Sequence, residues 1–287
     1  MSATATLKTP TVTPAGLVIA DYIGDHIDGL NTALADTLRA QPHSAADTRA
    51  NIYRVRTAIR GYRHLFVTVP LAGPQLEQLL NTMKRTQELE TLAEHFAHRF
   101  EQLSVDSDHY PSWYSTLLEE RRDSYHDIER ICEQTWVAAL LARVRMFSDH
   151  PELTPDGERP ASSLMDIISR SRTHLLDTYA KMSHAADINA ARELTRQSAR
   201  ETRFLAEAAQ DVLGTAVADI AHSAGRLHDD LNDYRQINVA RTWLLRLPGK
   251  ARADELTASL AELEKQDLHR VGDDIQITVN ELISSWS

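Results

Sequence analysis

The feature that most constrains the fold is how rarely glycine and proline interrupt the chain. Only ten glycines and ten prolines occur in 287 residues, and long stretches contain neither. A many-stranded sheet needs frequent turns built on these residues, whereas helix interiors disfavour them. Apolar residues recur at the spacing of amphipathic helices, and no stretch shows convincing period-two alternation. The sequence therefore predicts an all-α protein.

The helical segments fall into two groups separated by one segment rich in helix breakers. Residues 1–15, rich in Thr, Ala and Pro, are predicted to form a flexible leader. Residues 148–163 hold three prolines, a glycine and several acids, and are predicted to be a linker. The linker would join an N-terminal helical half, 16–147, to a C-terminal half, 164–287, each a bundle of about four helices.

Composition restricts the partners and the cellular compartment that we expect for the protein. Taken alone, the net charge of −10 counts against nucleic acid or any other polyanion as a partner. The single cysteine, Cys132, excludes an internal disulfide and a multi-cysteine zinc site, and it fits a reducing compartment. The chain contains no apolar run of the roughly 18 residues that a membrane-spanning helix needs. We therefore expect a cytoplasmic protein without a membrane partner.

Arginines recur on one face of the strongest helix of each half. The first helix, predicted from 47 to about 69, carries four arginines within about 60° of one another, with a tyrosine on the stripe and a histidine at its edge. These residues are Arg49, Tyr53, Arg56, Arg60, Arg63 and His64. The second helix carries Arg192, Arg196, Arg200 and Arg203 within about 80°. Arg196, Arg200 and Arg203 have the same spacing as Arg56, Arg60 and Arg63, which lie 140 residues earlier. This matched spacing favours two duplicated, pseudo-symmetric bundles.

A stripe of like charges admits two interpretations. Like charges on consecutive turns repel by a few tenths of a kcal/mol per pair, so the stripe needs a compensating partner. The arginines could pair with acids on neighbouring helices, since 41 Asp and Glu are available. Alternatively, they could form an anion-binding wall, because the guanidinium fork can bind two phosphate oxygens at once. The second stripe is the weaker one, because Glu193 and Glu207 lie near it.

The segment from Ile52 to Phe66, IYRVRTAIRGYRHLF, resembles the signature helix of the CHAD (conserved histidine α-helical domain) family. Arg56, Arg60 and Arg63 occupy three of its basic positions. Gly61 replaces the fourth, and Tyr53 stands where the histidine is expected.

The resemblance continues in the second half and covers roughly residues 16 to 287. The second signature is matched by Arg196, Arg200, Arg203, Phe204 and Glu207, with Glu193 in place of its histidine. The segments 83–96 and 231–247 are similar to the family's Leu-Gly-x-x-Arg-Asp helix. In 231–247, Asn232 replaces the Gly and Gln236 replaces the Asp.

The resemblance implies a function as well as a fold. It implies two bundles related by a pseudo-two-fold axis, with basic residues around a central groove or pore that binds inorganic polyphosphate. The two arginine stripes, with Tyr53 and His64, are then the expected contacts, and Lys84 is a second-line candidate. It also implies a location on polyphosphate granules, with homo-oligomers or granule-associated proteins as further partners.

Two other functions compete with polyphosphate binding. The first is a helical scaffold for protein–protein interaction that has lost polyanion binding, motivated by the replaced histidines and the charge-balanced second stripe. The second is an enzyme acting on phosphate compounds, because His228, Asp229 and Asp230 resemble the His-Asp pair of a metal phosphohydrolase. No further ligands stand at a recognisable spacing. We therefore expect no catalytic residue, no metal and no cofactor.

Overall fold

A computed structural model describes residues 13–70, 74–182 and 184–285. Within these residues, extended pairing is limited to two isolated bridges, between Pro14 and Pro160 and between Phe66 and Leu153. The prediction of an all-α protein is confirmed. The described α helices are α1 (Ala15–Thr37), α2 (Ser44–Gly61), α3 (Pro74–Gln102), α4 (Ser112–Cys132), α5 (Thr135–Asp149), α6 (Met165–Met182), α7 (Ile188–Glu207), α8 (Gln210–Leu213), α9 (Thr215–Arg246), α10 (Gly249–Arg252) and α11 (Glu255–Ser285).

The segment 148–163, predicted to be a linker, is hydrogen-bonded to the N-terminal helices. The backbone N–H groups of Ala15 and Gly16 donate to the carbonyls of Arg159 and Gly157 at 2.8 and 2.9 Å. A Cβ atom at Gly157 would stand 2.1 Å from the carbonyl oxygen of Leu65, so only glycine fits there. Residues 1–12 of the predicted leader lie outside the described residues. The division into two halves and their duplication stay predictions.

The helices pack around three apolar clusters. The largest joins α1, α2 and α5 to the end of α7 and the start of α9, so it includes residues on both sides of 148–163. The second lies between α3, α4, α9 and α11 and is rich in aromatic rings such as Phe96, Phe100 and Trp113. The third joins α6, α7, α9 and α11. In the part of the chain that the structure describes, no helix combines the length and the hydrophobicity that a membrane crossing requires.

The two arginine-bearing helices, α2 and α7, meet at one close junction. A Cβ atom at Gly61 would stand 2.4 Å from Cδ2 of Leu205, so the glycine lets the helices approach. The neighbouring Tyr62 is fully buried, and its hydroxyl donates a 2.7 Å hydrogen bond to the carbonyl of Leu205. At the same junction Arg54 pairs with Glu207 at 3.0 Å. The stripes predicted for separate halves are therefore carried by neighbouring helices.

We expect Tyr62→Phe to lower the free energy of unfolding by about 1–2 kcal/mol, because a buried carbonyl would lose its partner. Denaturant unfolding followed by circular dichroism would measure the change. Tyr110→Phe is a matched control, since the Tyr110 hydroxyl makes no hydrogen bond among the described residues. Equal stability of the two variants would contradict the prediction.

Candidate functional site: an arginine-lined cavity between four helices

The helices α2, α3, α7 and α9 enclose a cavity of about 400 Å³. Among the described residues that line it, seven are Lys or Arg and two are carboxylates, Glu88 and Glu193. The basic residues are Arg49, Arg54, Lys84, Arg196, Arg200, Arg203 and Arg235. They come from all four helices, so the positive charge of the cavity is a product of the tertiary fold.

Arg49, Tyr53 and Arg200 form the part of the cavity with the least neutralised charge. The guanidinium carbon of Arg200 lies 3.7 Å from the centre of the Tyr53 ring, and Nη2 of Arg49 donates to the Tyr53 hydroxyl at 3.2 Å. Arg49 also donates to the amide oxygen of Gln87. No described carboxylate lies within ion-pair distance of Arg49 or Arg200, and Nε of Arg49 is buried without a described partner.

The pKa values of this group report the positive potential. Burial by itself would raise the pKa of Tyr53, but the charges of Arg49 and Arg200 hold it below its ordinary value. Burial lowers the pKa of Arg200, and the charges of Arg196 and Arg49 lower it further. Both shifts favour the less positive state, as expected where cations crowd. An anion entering the cavity would relieve this crowding.

The remaining arginines of the cavity are held by carboxylates. Arg196 donates to both oxygens of Glu193, at 2.7 and 2.9 Å. Burial of Glu193 opposes its ionisation, but Arg196 outweighs it and lowers the pKa of the carboxyl to about 2. Arg235 donates to Glu88, and Glu207 joins Arg203 (2.7 Å) to Arg54 (3.0 Å). The cavity is therefore only partly neutralised from within.

Two histidines border the cavity, and both are engaged. Nη1 of Arg196 lies 3.3 Å from Nε2 of His228, and Nδ1 of His228 lies 3.1 Å from Asp229. This arrangement requires a neutral ring that accepts from arginine and donates to the carboxylate. Burial accordingly lowers the pKa of His228. His95 contacts Glu264 at 2.8 Å. Within the described residues, no cluster of three or more His, Cys, Asp or Glu could hold a metal ion.

The structure brings about half of the predicted contact residues together. Arg49, Tyr53, Arg196, Arg200 and Arg203 line the cavity, as does Lys84, the second-line candidate. The residues that lie outside its lining are Arg56, Arg60, Arg63, His64 and Arg192.

Each residue outside the cavity has other surroundings. Arg56 pairs with Glu77 at 2.7 Å, which is the pairing with a neighbouring helix that the sequence left open. The guanidinium carbon of Arg192 lies 3.9 Å from the centre of the Tyr234 ring. Arg60, Arg63 and His64 are exposed around a separate surface hollow.

The position of Arg63 and His64 follows from an early end of the helix. The helix predicted to reach about residue 69 ends at Gly61, and a 3₁₀ turn covers Arg63–Leu65. Tyr62 leaves helical geometry, with φ −105° and ψ 15°, as its side chain enters the core. The predicted helix length was therefore wrong, and angles extrapolated beyond Gly61 do not apply.

Sequence reasoning missed two cavity arginines. Arg54 follows Tyr53 directly, so a wheel places it about 100° from that residue and off the stripe. Arg235 stands at the arginine position of the segment 231–247 that is similar to the family's Leu-Gly-x-x-Arg-Asp helix. That match could have identified Arg235 as a cavity residue, whereas nothing in the sequence pattern pointed to Arg54.

Fold and cavity together define an all-helical protein that gathers arginine and lysine side chains from four helices around one cavity. The profile of the CHAD domain family matches residues 21–245, and the chain belongs to this family. The structure is similar to PptA from Streptomyces chartreusis, with a TM-score of 0.72 and 16% identity over 93% of this chain and 100% of that one.

A second solved structure shares the fold. The CHAD domain from the plant Ricinus communis superposes with a TM-score of 0.73 and 12% identity, over 96% of this chain and 93% of that one. A comparison with curated proteins gave no match. At these identities the structural likeness establishes the fold.

The neutral state of His228 makes a prediction for stability against pH. Its pKa in the folded protein lies below the ordinary 6.5, so below that pH the unfolded chain binds the proton more readily. The free energy of unfolding therefore loses this contribution as the pH falls below about 6.5. We expect His228→Gln to show a smaller loss of stability than wild type between about pH 7.5 and 5.5.

Denaturant unfolding at several pH values would measure this. Exposed His269→Gln is the control and should keep the wild-type slope. An unchanged slope in His228→Gln would refute the assignment.

Proposed function

We propose that this protein binds inorganic polyphosphate in the cavity between α2, α3, α7 and α9, and that it does so without cleaving the chain. The observation that carries the proposal is the convergence of seven Lys and Arg side chains on one cavity in a protein whose net charge is −10. Membership of the CHAD domain family supports it, because the likeness to that family suggests polyphosphate binding at the family level.

The acidic exterior does not cancel the attraction of the cavity. Charges farther away than about 8 Å are largely screened at physiological salt, so a phosphate inside responds mainly to the groups that line it. Arg49 and Arg200 have no described carboxylate partner, and their planar forks match phosphate oxygens. The Tyr53 hydroxyl between them can donate a further hydrogen bond.

The proposed contacts differ in part from those expected from the stripes. They comprise Arg49, Tyr53, Arg196, Arg200 and Arg203, together with Arg54, Lys84 and Arg235. The arginines outside the cavity, among them Arg56 and Arg60, should contribute less to binding.

Three groups of the cavity that could catalyse hydrolysis are already engaged. Glu88 and Glu193, the two carboxylates of the described lining, accept from Arg235 and Arg196. His228 has contacts at both ring nitrogens. A general base needs a free lone pair directed at the nucleophile. Incubation with polyphosphate and divalent metal ions should therefore release no phosphate, and turnover lost in His228→Ala would favour an enzyme instead.

We expect Arg200→Gln to weaken polyphosphate binding by roughly tenfold to a hundredfold, since a charge-assisted hydrogen bond contributes about 1.5–3 kcal/mol. Isothermal titration calorimetry with a long polyphosphate would measure the affinity. Arg60→Gln removes the same charge from an exposed position outside the cavity and should change affinity less than threefold. If Arg60→Gln weakened binding as much as Arg200→Gln, the cavity would not be the site.

Binding should also depend steeply on salt. Each guanidinium that meets a phosphate releases about one condensed counter-ion, so the logarithm of the affinity should fall linearly with the logarithm of the salt concentration. Arg200→Gln should reduce the slope by roughly one, and Arg60→Gln should leave it unchanged. A salt-independent affinity would contradict electrostatic binding in the cavity.

One observation favours a second function, a helical scaffold for other proteins. Five of the seven cavity cations already lie within 4.0 Å of described carboxylates, so little attraction would be left for a polyanion. The scaffold would be preferred if immobilised polyphosphate failed to retain the protein even at low salt.

A further inference from the structure

The polar groups in and beside the cavity form one continuous chain across its four helices, in which cations alternate with carboxylates except at the neutral His228. Successive contacts of 4.0 Å or less join Lys84, Glu88, Arg235, Glu193, Arg196, His228, Asp229, Arg203, Glu207 and Arg54 in that order. Arg49 and Arg200 stand apart from this chain, beside Tyr53. The cavity therefore contains two kinds of cation, those already paired and those left for a ligand.

Glu193 has the central place in the chain. Its two oxygens accept from Nε and Nη2 of Arg196, and one of them also lies 4.0 Å from Nε of Arg235. Only 11% of the Arg196 side chain is exposed. With Nη1 of Arg196 directed at His228, every nitrogen of that guanidinium already has a partner. A phosphate can bind the Nε and Nη2 face of Arg196 only by displacing the carboxylate.

We infer that Glu193 is a built-in competitor of the phosphate ligand and a specificity-determining residue, because it weakens the binding of long polyphosphate chains more than the binding of pyrophosphate. The inference rests on the proposed function. It adds that an acid inside the cavity, and not only the arginines, decides which phosphates bind.

This effect follows from how far each ligand reaches into the cavity. A small phosphate can bind at Arg49 and Arg200, but it brings no second group to displace Glu193. Once one end of a chain is bound there, the neighbouring phosphates reach Arg196 at a high effective concentration. The chain can therefore displace the carboxylate, and its affinity is lowered by the free-energy cost of that displacement. A small anion bound at Arg49 and Arg200 leaves Glu193 in place. Glu193 thus weakens the binding of long chains more than that of short ligands.

The test compares Glu193→Gln with Glu201→Gln on the same helix. The glutamine keeps the size and one acceptor oxygen of Glu193 but loses the charge. Glu201 is exposed and outside the cavity lining, so its substitution changes the net charge equally. Affinities for pyrophosphate and for a long polyphosphate would be measured by calorimetry for wild type and both variants. Thermal unfolding would verify that all three are folded.

We expect Glu193→Gln to tighten long-chain binding by about tenfold and pyrophosphate binding by clearly less, so that the ratio of long-chain to pyrophosphate affinity rises. Glu201→Gln should keep the wild-type ratio.

Three results would overturn the inference, and they differ in what else they imply. Matching ratios in the two variants would remove the role of Glu193 while leaving polyphosphate binding intact. Weaker long-chain binding in Glu193→Gln would show that the carboxylate only positions Arg196. Absence of long-chain binding in wild type and in both variants would remove the proposed function together with the inference.

Discussion

Guanidinium groups gathered between helices must be compensated, because cations removed from water repel one another and lose hydration. In this protein the positive charge of the guanidinium groups is compensated by carboxylates and aromatic rings carried by α2, α3, α7 and α9. Glu207 joins Arg54 of α2 to Arg203 of α7, and Glu88 of α3 holds Arg235 of α9. These pairs join helices distant in sequence, so the charges that define the site also help to hold it together.

The compensation is uneven, and the unevenness gives the cavity its chemistry. Where carboxylates are present, the local charge is close to balanced, as the low pKa of Glu193 beside Arg196 shows. Around Tyr53 the partners of Arg49 and Arg200 are a phenol ring and an amide, which carry no formal charge. A protein with a net charge of −10 can therefore offer a positive cavity, because screening lets the nearest groups dominate.

The apolar clusters determine how closely the charged helices approach. Gly61 against Leu205 and the buried hydroxyl of Tyr62 bring α2 onto α7. The aromatic cluster around Phe96 and Trp113 packs α3 against α9 and α11 on another side. The polar faces of these helices are left to meet one another, and the cavity lies where they do. The apolar faces of these four helices thus pack in the core, while their polar faces line the cavity.

The sequence by itself determined the helical class, the family and the residue types of the site. Helical periodicity and scarce breakers are local properties, and the spacing of Arg196, Arg200 and Arg203 survives because α7 is regular. Only the tertiary structure decided which arginines converge. Arg56 pairs with Glu77 outside the cavity, and Arg63 lies beyond the end of α2 at Gly61. Arg54 and Arg235 line the cavity although neither belongs to a predicted stripe. Sequence spacing gives the direction of a side chain around its own helix, but the packing of the helices decides which neighbours that side chain contacts.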